Sequence, residues 1–214
     1  MRFSPRVTDA VQRGIDVVVA GTGLVVLSPV LGTVAAVVAV RLGRPVLFRQ
    51  QRPGRHGKPF TLVKFRSMRD VDEQRGLIAD GDRLTTLGRV LRATSLDELP
   101  TLWNVLRGEM SLVGPRPLLM HYLDLYTPEQ ARRHLVRPGV TGLAQVSGRN
   151  AVNWEERLAL DVWYVEHRSL TLNLRICART VLVLLRRDGI AAPGDPTMPQ
   201  FTGSPRAGKG PDGA

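Results

Sequence analysis

The chain carries one cysteine, Cys177. A lone thiol excludes an intramolecular disulfide and a cysteine metal cluster, and it fits a reducing compartment. Aromatic residues are scarce as well, at 5% of 214 residues. Few platforms remain for stacking the bases of single-stranded nucleic acid. Acidic residues fall short of basic ones, 19 against 30, so the formal net charge is +11. That excess asks for an anionic partner: nucleic acid, for which the aromatic shortage weakens the single-stranded reading, acidic lipid or a phosphorylated small molecule. There is no internal repeat. No glycine spacing matches a Walker or Rossmann fingerprint, and the acidic stretch at 70–82 lacks the spacing of an EF-hand loop.

What is present begins with an uncharged run, Val17 to Val40, made almost entirely of Val, Ala, Leu and Gly. It exceeds the ~18 apolar residues that mark a membrane segment and the ~15 of a signal-peptide core. Ser28-Pro29 interrupts it, so a helix here should kink, with the Ser28 hydroxyl available to a freed carbonyl. Arg2, Arg6 and Arg13 precede the run; Arg41, Arg44 and Arg49 follow it. Basic residues favour the cytoplasmic side. Basic flanks at both ends favour a bent helix that enters and leaves by one leaflet over a straight span or a buried core helix.

Two short apolar runs, 46–48 and 60–63, flank a basic turn and read as a β-hairpin. Lys64 and Arg66 follow at once, as a solvated face, a headgroup contact or an anion site. His56 reads as a turn residue. The polar stretch 71–82 reads as a surface loop or short helix, and 84–91 has helical spacing.

The segment Ser95 to Pro117 sets Asp97 and Glu98 just after Thr94 and Ser95, then an amphipathic run, then Gly-Pro-Arg-Pro around Arg116. Ser95-x-x-Glu98 is a capping-box pattern, which would leave Glu98 a purely structural role and Asp97 a helix-dipole one. Neighbouring helical residues point about 100° apart, so a shared target for both carboxylates requires a non-helical backbone and suggests divided roles. Arg116, fixed between two prolines, suits bidentate phosphate contact. Residues 137–150 contain Gly139, Gly142 and Gly148, whose backbone donors could cradle an anion, with Gln145, Arg149 and Asn150 placed to read a nucleotide or sugar. Trp154 to Arg187 is helical in pattern, and from Ala191 the chain turns rich in Pro and Gly and reads as a disordered tail.

Four ordered blocks resemble the bacterial sugar transferase family in its small, monotopic phosphoglycosyl transferase form. They are the apolar helix with Ser28-Pro29; Gln51-Arg52-Pro53-Gly54 through Lys64-Phe65-Arg66-Ser67-Met68; Thr94 to Pro100 through Gly114-Pro115-Arg116-Pro117; and Arg137-Pro138-Gly139 through Gly148-Arg149-Asn150. The resemblance runs from about Asp9 to Gly189. It implies transfer of a sugar 1-phosphate from a UDP-sugar to polyprenyl (undecaprenyl) phosphate, with UMP released, through a covalent aspartyl-phosphosugar intermediate and with Mg²⁺. Carried onto this chain, Asp97 is the nucleophile, Glu98 assists through metal or proton, and Asp97 and Glu98 are the metal ligands. Arg92, Arg116, Lys64, Arg66, Gln145 and Arg149 meet substrate and phosphate, and Ser28 and Pro29 break the membrane helix. Thr101 departs from the glutamine expected after Asp-Glu-Leu-Pro.

The expected fold is α+β and mostly helical: an N-terminal re-entrant membrane helix (1–44), a catalytic domain (45–189) with a small β-hairpin and interfacial helices, and a disordered tail (190–214). The expected location is the bacterial inner membrane, on its cytoplasmic face, against anionic lipid, with a homodimer compatible. The rival reading is a non-enzymatic, membrane-tethered basic binding protein, which leaves Asp97, Glu98 and the ordered glycines unexplained.

Overall fold

The computed structural model describes residues 5–147, 153–186 and 200–204. The chain opens with α1 (Pro5–Val26) and α2 (Ser28–Leu42), two arms that meet at an angle of 62°. The break has a local cause. Pro29 has no N–H for the Val25 carbonyl, and the Ser28 hydroxyl donates to that carbonyl instead, at 2.8 Å. No single helix among the described residues is long and apolar enough to cross a membrane; the bent pair passes that test only as two arms together. Val18, Val25, Val26 and Val40 lie exposed along it.

The first half of α1 is tied to the rest of the fold by polar side chains. Arg13 donates to the carbonyls of Val105 and Leu106 at 2.6 and 2.8 Å, Gln12 donates to Ser111 Oγ at 2.7 Å, and Asp16 accepts from the Leu112 N–H at 2.9 Å. Arg168 pairs with Asp9. The second arm is held by apolar contact: Val34 and Val38 of α2 pack with Phe65, Leu91 and Leu96.

The hairpin forms as expected, β1 (Leu47–Pro53) against β2 (Pro59–Phe65), antiparallel from Leu47↔Phe65 to Pro53↔Pro59. The stretch after it is a loop with a 3-10 turn at Glu73–Arg75 and the single turn α3 (Asp80–Arg83). Then come α4 (Thr86–Ala93), capped by Thr85, and α5 (Thr101–Arg107). The outer edge of β2 has no strand partner among the described residues. Asn104 fills that role, accepting from Val63 N–H at 3.1 Å and donating to the Thr61 carbonyl at 2.7 Å. Thr101 donates to the Val63 carbonyl at 3.2 Å.

A second, parallel pair joins β3 (Ser111–Val113) to β4 (Gly139–Thr141). Its glycines serve close approach. A Cβ on Gly139 would lie 2.1 Å from Gly114 N, and one on Gly142 2.2 Å from the Gly114 carbonyl oxygen. The Gly139 N–H is bonded to the Pro115 carbonyl, so that donor is not free to cradle an anion. After β3, a 3-10 stretch at Met120–Leu125 leads to α6 (Pro128–Ala131). After β4 come α7 (Leu143–Ser147), α8 (Trp154–His167) and α9 (Leu170–Arg186). The helical pattern from Trp154 is thus two helices: Arg168 leaves the helical region at ψ 132°, and Ser169 Oγ accepts from the Leu172 N–H to start α9.

Part of the stretch read as a disordered tail is docked. Phe201 is buried among Tyr122, Tyr126 and Trp154, its N–H donates to the Tyr122 hydroxyl, and Ser204 accepts from Gln130. The sequence reading missed it because one phenylalanine in a Pro/Gly-rich context carries no periodicity. The rest of that tail, 190–199 and 205–214, lies outside the described residues.

The packing of α4 depends on Gly88, where a Cβ would sit 1.8 Å from the Ser67 carbonyl oxygen. Gly88→Ala should therefore cost about 1–3 kcal/mol despite alanine's better helix propensity. Chemical denaturation in detergent reads this; an unchanged or raised stability would contradict the packing described.

Candidate active site

Asp97 and Glu98 sit in a 3-10 turn, Leu96–Glu98, entered through Ser95 at φ +56°. That left-handed entry costs a non-glycine residue about 1 kcal/mol. Ser95 makes no side-chain capping bond, and α5 begins only at Thr101, after Pro100. The capping box suggested by Ser95-x-x-Glu98 is therefore not formed. Glu98 is engaged elsewhere, its Oε1 2.5 Å from Arg116 Nη2. A 3-10 turn sets successive side chains about 120° apart, yet both carboxylates interact electrostatically with the same three cations, Lys64, Arg92 and Arg116.

Different elements hold those cations. Lys64 stands on β2, its ammonium 5.4 Å over the Phe48 ring. Arg92 comes from the end of α4 and donates to Ser67 Oγ at 3.1 Å. Arg116 lies in the Gly-Pro-Arg-Pro turn after β3, where its backbone carbonyl accepts from Arg133 at 2.7 Å. Arg133 itself is buried against Asp161, 2.7 Å away. The Gly-Pro-Arg-Pro turn is thus braced from behind by a neutralised pair.

The two carboxylates differ sharply in state. Asp97 is 4% exposed, and among the described residues it accepts no hydrogen bond and joins no ion pair. Burial, and next the charge of Glu98, push its pKa up to about 6 against the pull of Lys64, Arg92 and Arg116. Burial also works against the charge on Glu98, but Arg116, by charge and hydrogen bond, outweighs it and holds that carboxyl below the usual range. At neutral pH both are ionised: one tied, one free. Burial lowers the pKa of Lys64 and of Arg92, with Asp97 opposing in each case.

Arg66, Gln145, Ser28 and Pro29 fall outside this cluster. Arg66 is buried, but its guanidinium donates to the Arg44 carbonyl at 3.4 Å and pairs with Asp70 at 3.3 Å, at the foot of α2. Gln145 donates to the Val140 carbonyl at 3.3 Å within the β4–α7 turn, and its buried Oε1 has no hydrogen-bond partner among the described residues. Ser28 and Pro29 are at the helix break. Arg149, with Gly148 and Asn150, lies outside the described residues. Three residues that position the site carried no role from sequence. Ser67 orients Arg92 and Asn104 seats α5. Arg52, in the Gln51-Arg52-Pro53-Gly54 stretch, feels the charge of Arg116.

Among the described residues no three His, Cys, Asp or Glu side chains converge on a metal position. Asp97 and Glu98 fit the demands of Mg²⁺ differently, since that ion takes one or two carboxylates, waters and substrate phosphates rather than an all-protein cage. Glu98 has a second oxygen beyond the one that Arg116 holds.

A free carboxylate beside a held one, under three cations, is a site for anionic substrates. The comparisons give it a family. The family model for bacterial sugar transferases matches residues 7–187, and the chain belongs to that family. It is 56% identical over 170 residues to the sugar transferase EpsL of Bacillus subtilis, covering 79% of this chain and 84% of that one. It is 44% identical over 200 residues to the UDP-glucose:undecaprenyl-phosphate glucose-1-phosphate transferase of Caulobacter vibrioides, covering 86% and 73%. With the undecaprenyl-phosphate galactose phosphotransferase of Salmonella typhimurium it shares 40% over 196 residues, 83% of this chain but 41% of that protein.

The raised pKa of Asp97 has a stability consequence. Its folded value of about 6 exceeds the ordinary 3.8, so the folded state holds the proton more tightly. The wild type therefore loses stability as pH rises from about 4 to about 6, by about 3 kcal/mol, and stays at that level above. Asp97→Asn should be the more stable protein at pH 7.5 in magnesium-free buffer, with the gap closing towards pH 4. Denaturant midpoints across pH 4–8 check this, and a gap independent of pH would refute it.

Proposed function

We propose that the chain transfers a sugar 1-phosphate from a UDP-sugar to polyprenyl phosphate, by way of a phosphosugar ester on Asp97. The observation that carries this reading is the contrast between Glu98, fixed by Arg116, and Asp97, buried, ionised and, among the described residues, without a hydrogen bond or ion pair. A carboxylate meant only for structure would have a partner. A nucleophile must keep its lone pairs free.

In this reading a carboxylate oxygen of Asp97 attacks the phosphorus that bears the sugar. The bond from that phosphorus to the bridging oxygen breaks, and the electron pair leaves with UMP. An oxygen of polyprenyl phosphate then attacks the same phosphorus, and the Asp97 carboxylate is regenerated. Lys64, Arg92 and Arg116 offset the charge that brings three anions together. Glu98, held ionised by Arg116, assists through the metal or by handling a proton of the incoming phosphate. Mg²⁺ held by Asp97 and Glu98 would draw charge from the diphosphate oxygens and favour the leaving group.

The bent α1–α2 pair is read as re-entrant, with both ends on the cytoplasmic side and the exposed valines in lipid. A polyprenyl acceptor cannot leave the bilayer, so the site must stand at its surface. A groove lined by Leu24, Leu31 and Ala35 of the pair, by Leu47, Phe65, Pro100 and Trp103, and at its charged part by Arg49, Arg107 and Glu109 opens beside the helices; none of Lys64, Arg92, Asp97, Glu98 or Arg116 lines it. It suits the isoprenoid chain. The names of the Caulobacter and Salmonella relatives fit this acceptor, and that of the Caulobacter relative fits a UDP-sugar donor. The excess of basic residues draws the domain against anionic lipid.

Two measurements test the reading. Wild type incubated with labelled UDP-sugar and Mg²⁺ should release UMP and retain sugar phosphate before any acceptor is added, while Asp97→Asn does neither; strict need for acceptor in the first UMP release would sink it. In a Cys177→Ser background, Val11→Cys and Arg44→Cys should both react with an impermeant reagent applied to the cytoplasmic side only. Labelling from opposite sides would leave a straight span.

A further inference from the structure

Arg66 is a buried cation outside the catalytic cluster, and its own partners hold it loosely. Its side chain is 8% exposed. Nη1 donates to the Arg44 carbonyl at 3.4 Å and to Asp70 Oδ2 at 3.3 Å, both longer than the about 2.7–2.9 Å of a strong charged bond. The Asp70 side chain is 83% exposed, so water offsets most of that pairing. The Nε of Arg66 is buried and has no acceptor among the described residues. A buried guanidinium donor in this state is unfavourable until an anion reaches it.

The surroundings of Arg66 select the kind of anion. With Arg49, Asp70 and residues 45–48 it lines a cleft of about 570 Å³. Arg49 is exposed and, among the described residues, makes no side-chain hydrogen bond or ion pair. Val46, Leu47 and Arg49 also line the apolar groove beside the bent helix pair, so cleft and groove share a wall. The other cation of the groove, Arg107, is already paired with Glu109 at 3.3 Å. Arg49 thus stands unpaired where the two spaces meet. Arg66 bonds the carbonyl two residues past the end of α2. In the re-entrant reading the chain leaves the bilayer there, which sets Arg66 at the level of the headgroups. A soluble phosphate would fill the cleft and leave the groove empty; a phosphate on an apolar chain fills both.

We propose that Arg66 and Arg49 hold the phosphate of the polyprenyl phosphate acceptor outside the catalytic cluster, with its first isoprene units in the groove. The inference rests on the transferase reading above and adds a capture step to it. None of Lys64, Arg92, Asp97, Glu98 or Arg116 lines the cleft or the groove. An acceptor held there leaves those cations to the donor, and its phosphate reaches the Asp97 ester only by leaving this position. Capture therefore sets the apparent affinity for acceptor and not the chemistry on the donor.

Kinetics of the full chain in mixed micelles of detergent and phosphatidylcholine test this, with undecaprenyl phosphate and a UDP-hexose that the wild type turns over. Arg66→Gln and Arg49→Gln should each raise the acceptor KM about tenfold, since each removes charged hydrogen bonds to one phosphate. The donor KM, and the UMP released in one turnover without acceptor, should stay within about twofold. Arg66→Lys should recover part of the loss. Should Arg66→Gln fail to fold, the exposed Arg49 decides alone. An unchanged acceptor KM, or a loss of the first UMP release instead, overturns the holding site and leaves the transferase reading intact. Phosphatidylglycerol should compete only at mole fractions about tenfold above the acceptor KM. Half-inhibition at the acceptor KM itself would assign the position to bulk anionic lipid and overturn the proposal. A wild type that releases UMP from no UDP-sugar overturns the transferase reading and the holding site with it.

Discussion

Two adjacent carboxylates held out of water repel each other, and everything around the Leu96–Glu98 turn answers that repulsion. Arg116 binds Glu98 tightly enough to keep it ionised. Lys64 and Arg92 lower the cost of a second charge without bonding to it, and Asp97 stays free at the expense of a raised pKa. A direct ion pair to Asp97 would be more stable and would block its lone pairs. Electrostatic support without a bond is what a nucleophile requires, and it demands cations fixed by something else. Ser67 fixes Arg92, the Phe48 ring underlies Lys64, and Arg133 braces the Arg116 backbone.

The helix pair is built into the same framework. The polar half of α1 is bonded to the carbonyls that end α5 and to β3, while α2 packs its apolar face on β2 and α4. Turning the pair would move α5 and α4, and with them the carboxylates and Arg92. The height of the site relative to the helix break is therefore a property of the fold rather than of a flexible tether. This matters for a substrate confined to two dimensions, because a site misplaced by a few ångströms along the membrane normal cannot be reached by a headgroup on a fixed chain.

The sequence disclosed the parts whose signal is local. The break at Ser28-Pro29, the hairpin at 47–65, and α4 with its Thr85 cap follow from missing donors, alternation and capping chemistry. The grouping of Lys64, Arg92 and Arg116 around Asp97 and Glu98 was legible only through the family resemblance, since no spacing rule brings residues 64 and 116 together. The misassignments share a cause. Ser95-x-x-Glu98 scores as a capping box, yet Arg116 outbids the backbone for Glu98. Arg66 alternates onto the same face as Lys64 in an extended strand, but β2 ends at Phe65 and the chain turns Arg66 towards Arg44 and Asp70. The glycines at 139 and 142 read as anion donors, whereas their use is the close passage of β4 beside Gly114. Each is a long-range partner displacing a local preference.

Thr101 shows how such a partner sets the site's dimensions. It stands where the resemblance leads one to expect glutamine, and its hydroxyl is buried against the Val63 carbonyl. Asn104, three residues on, takes the Val63 N–H and the Thr61 carbonyl. The two side chains thus read the free edge of β2 as a neighbouring strand would, and they fix the register of α5 against it. Lys64 is the next residue along that strand. A slip of one residue would turn its side chain to the opposite face and away from Asp97. The separation between the Asp97 carboxylate and the Lys64 ammonium is thus set by side-chain bonds to a strand edge. A threonine suffices there because the hydroxyl has only one short reach to make.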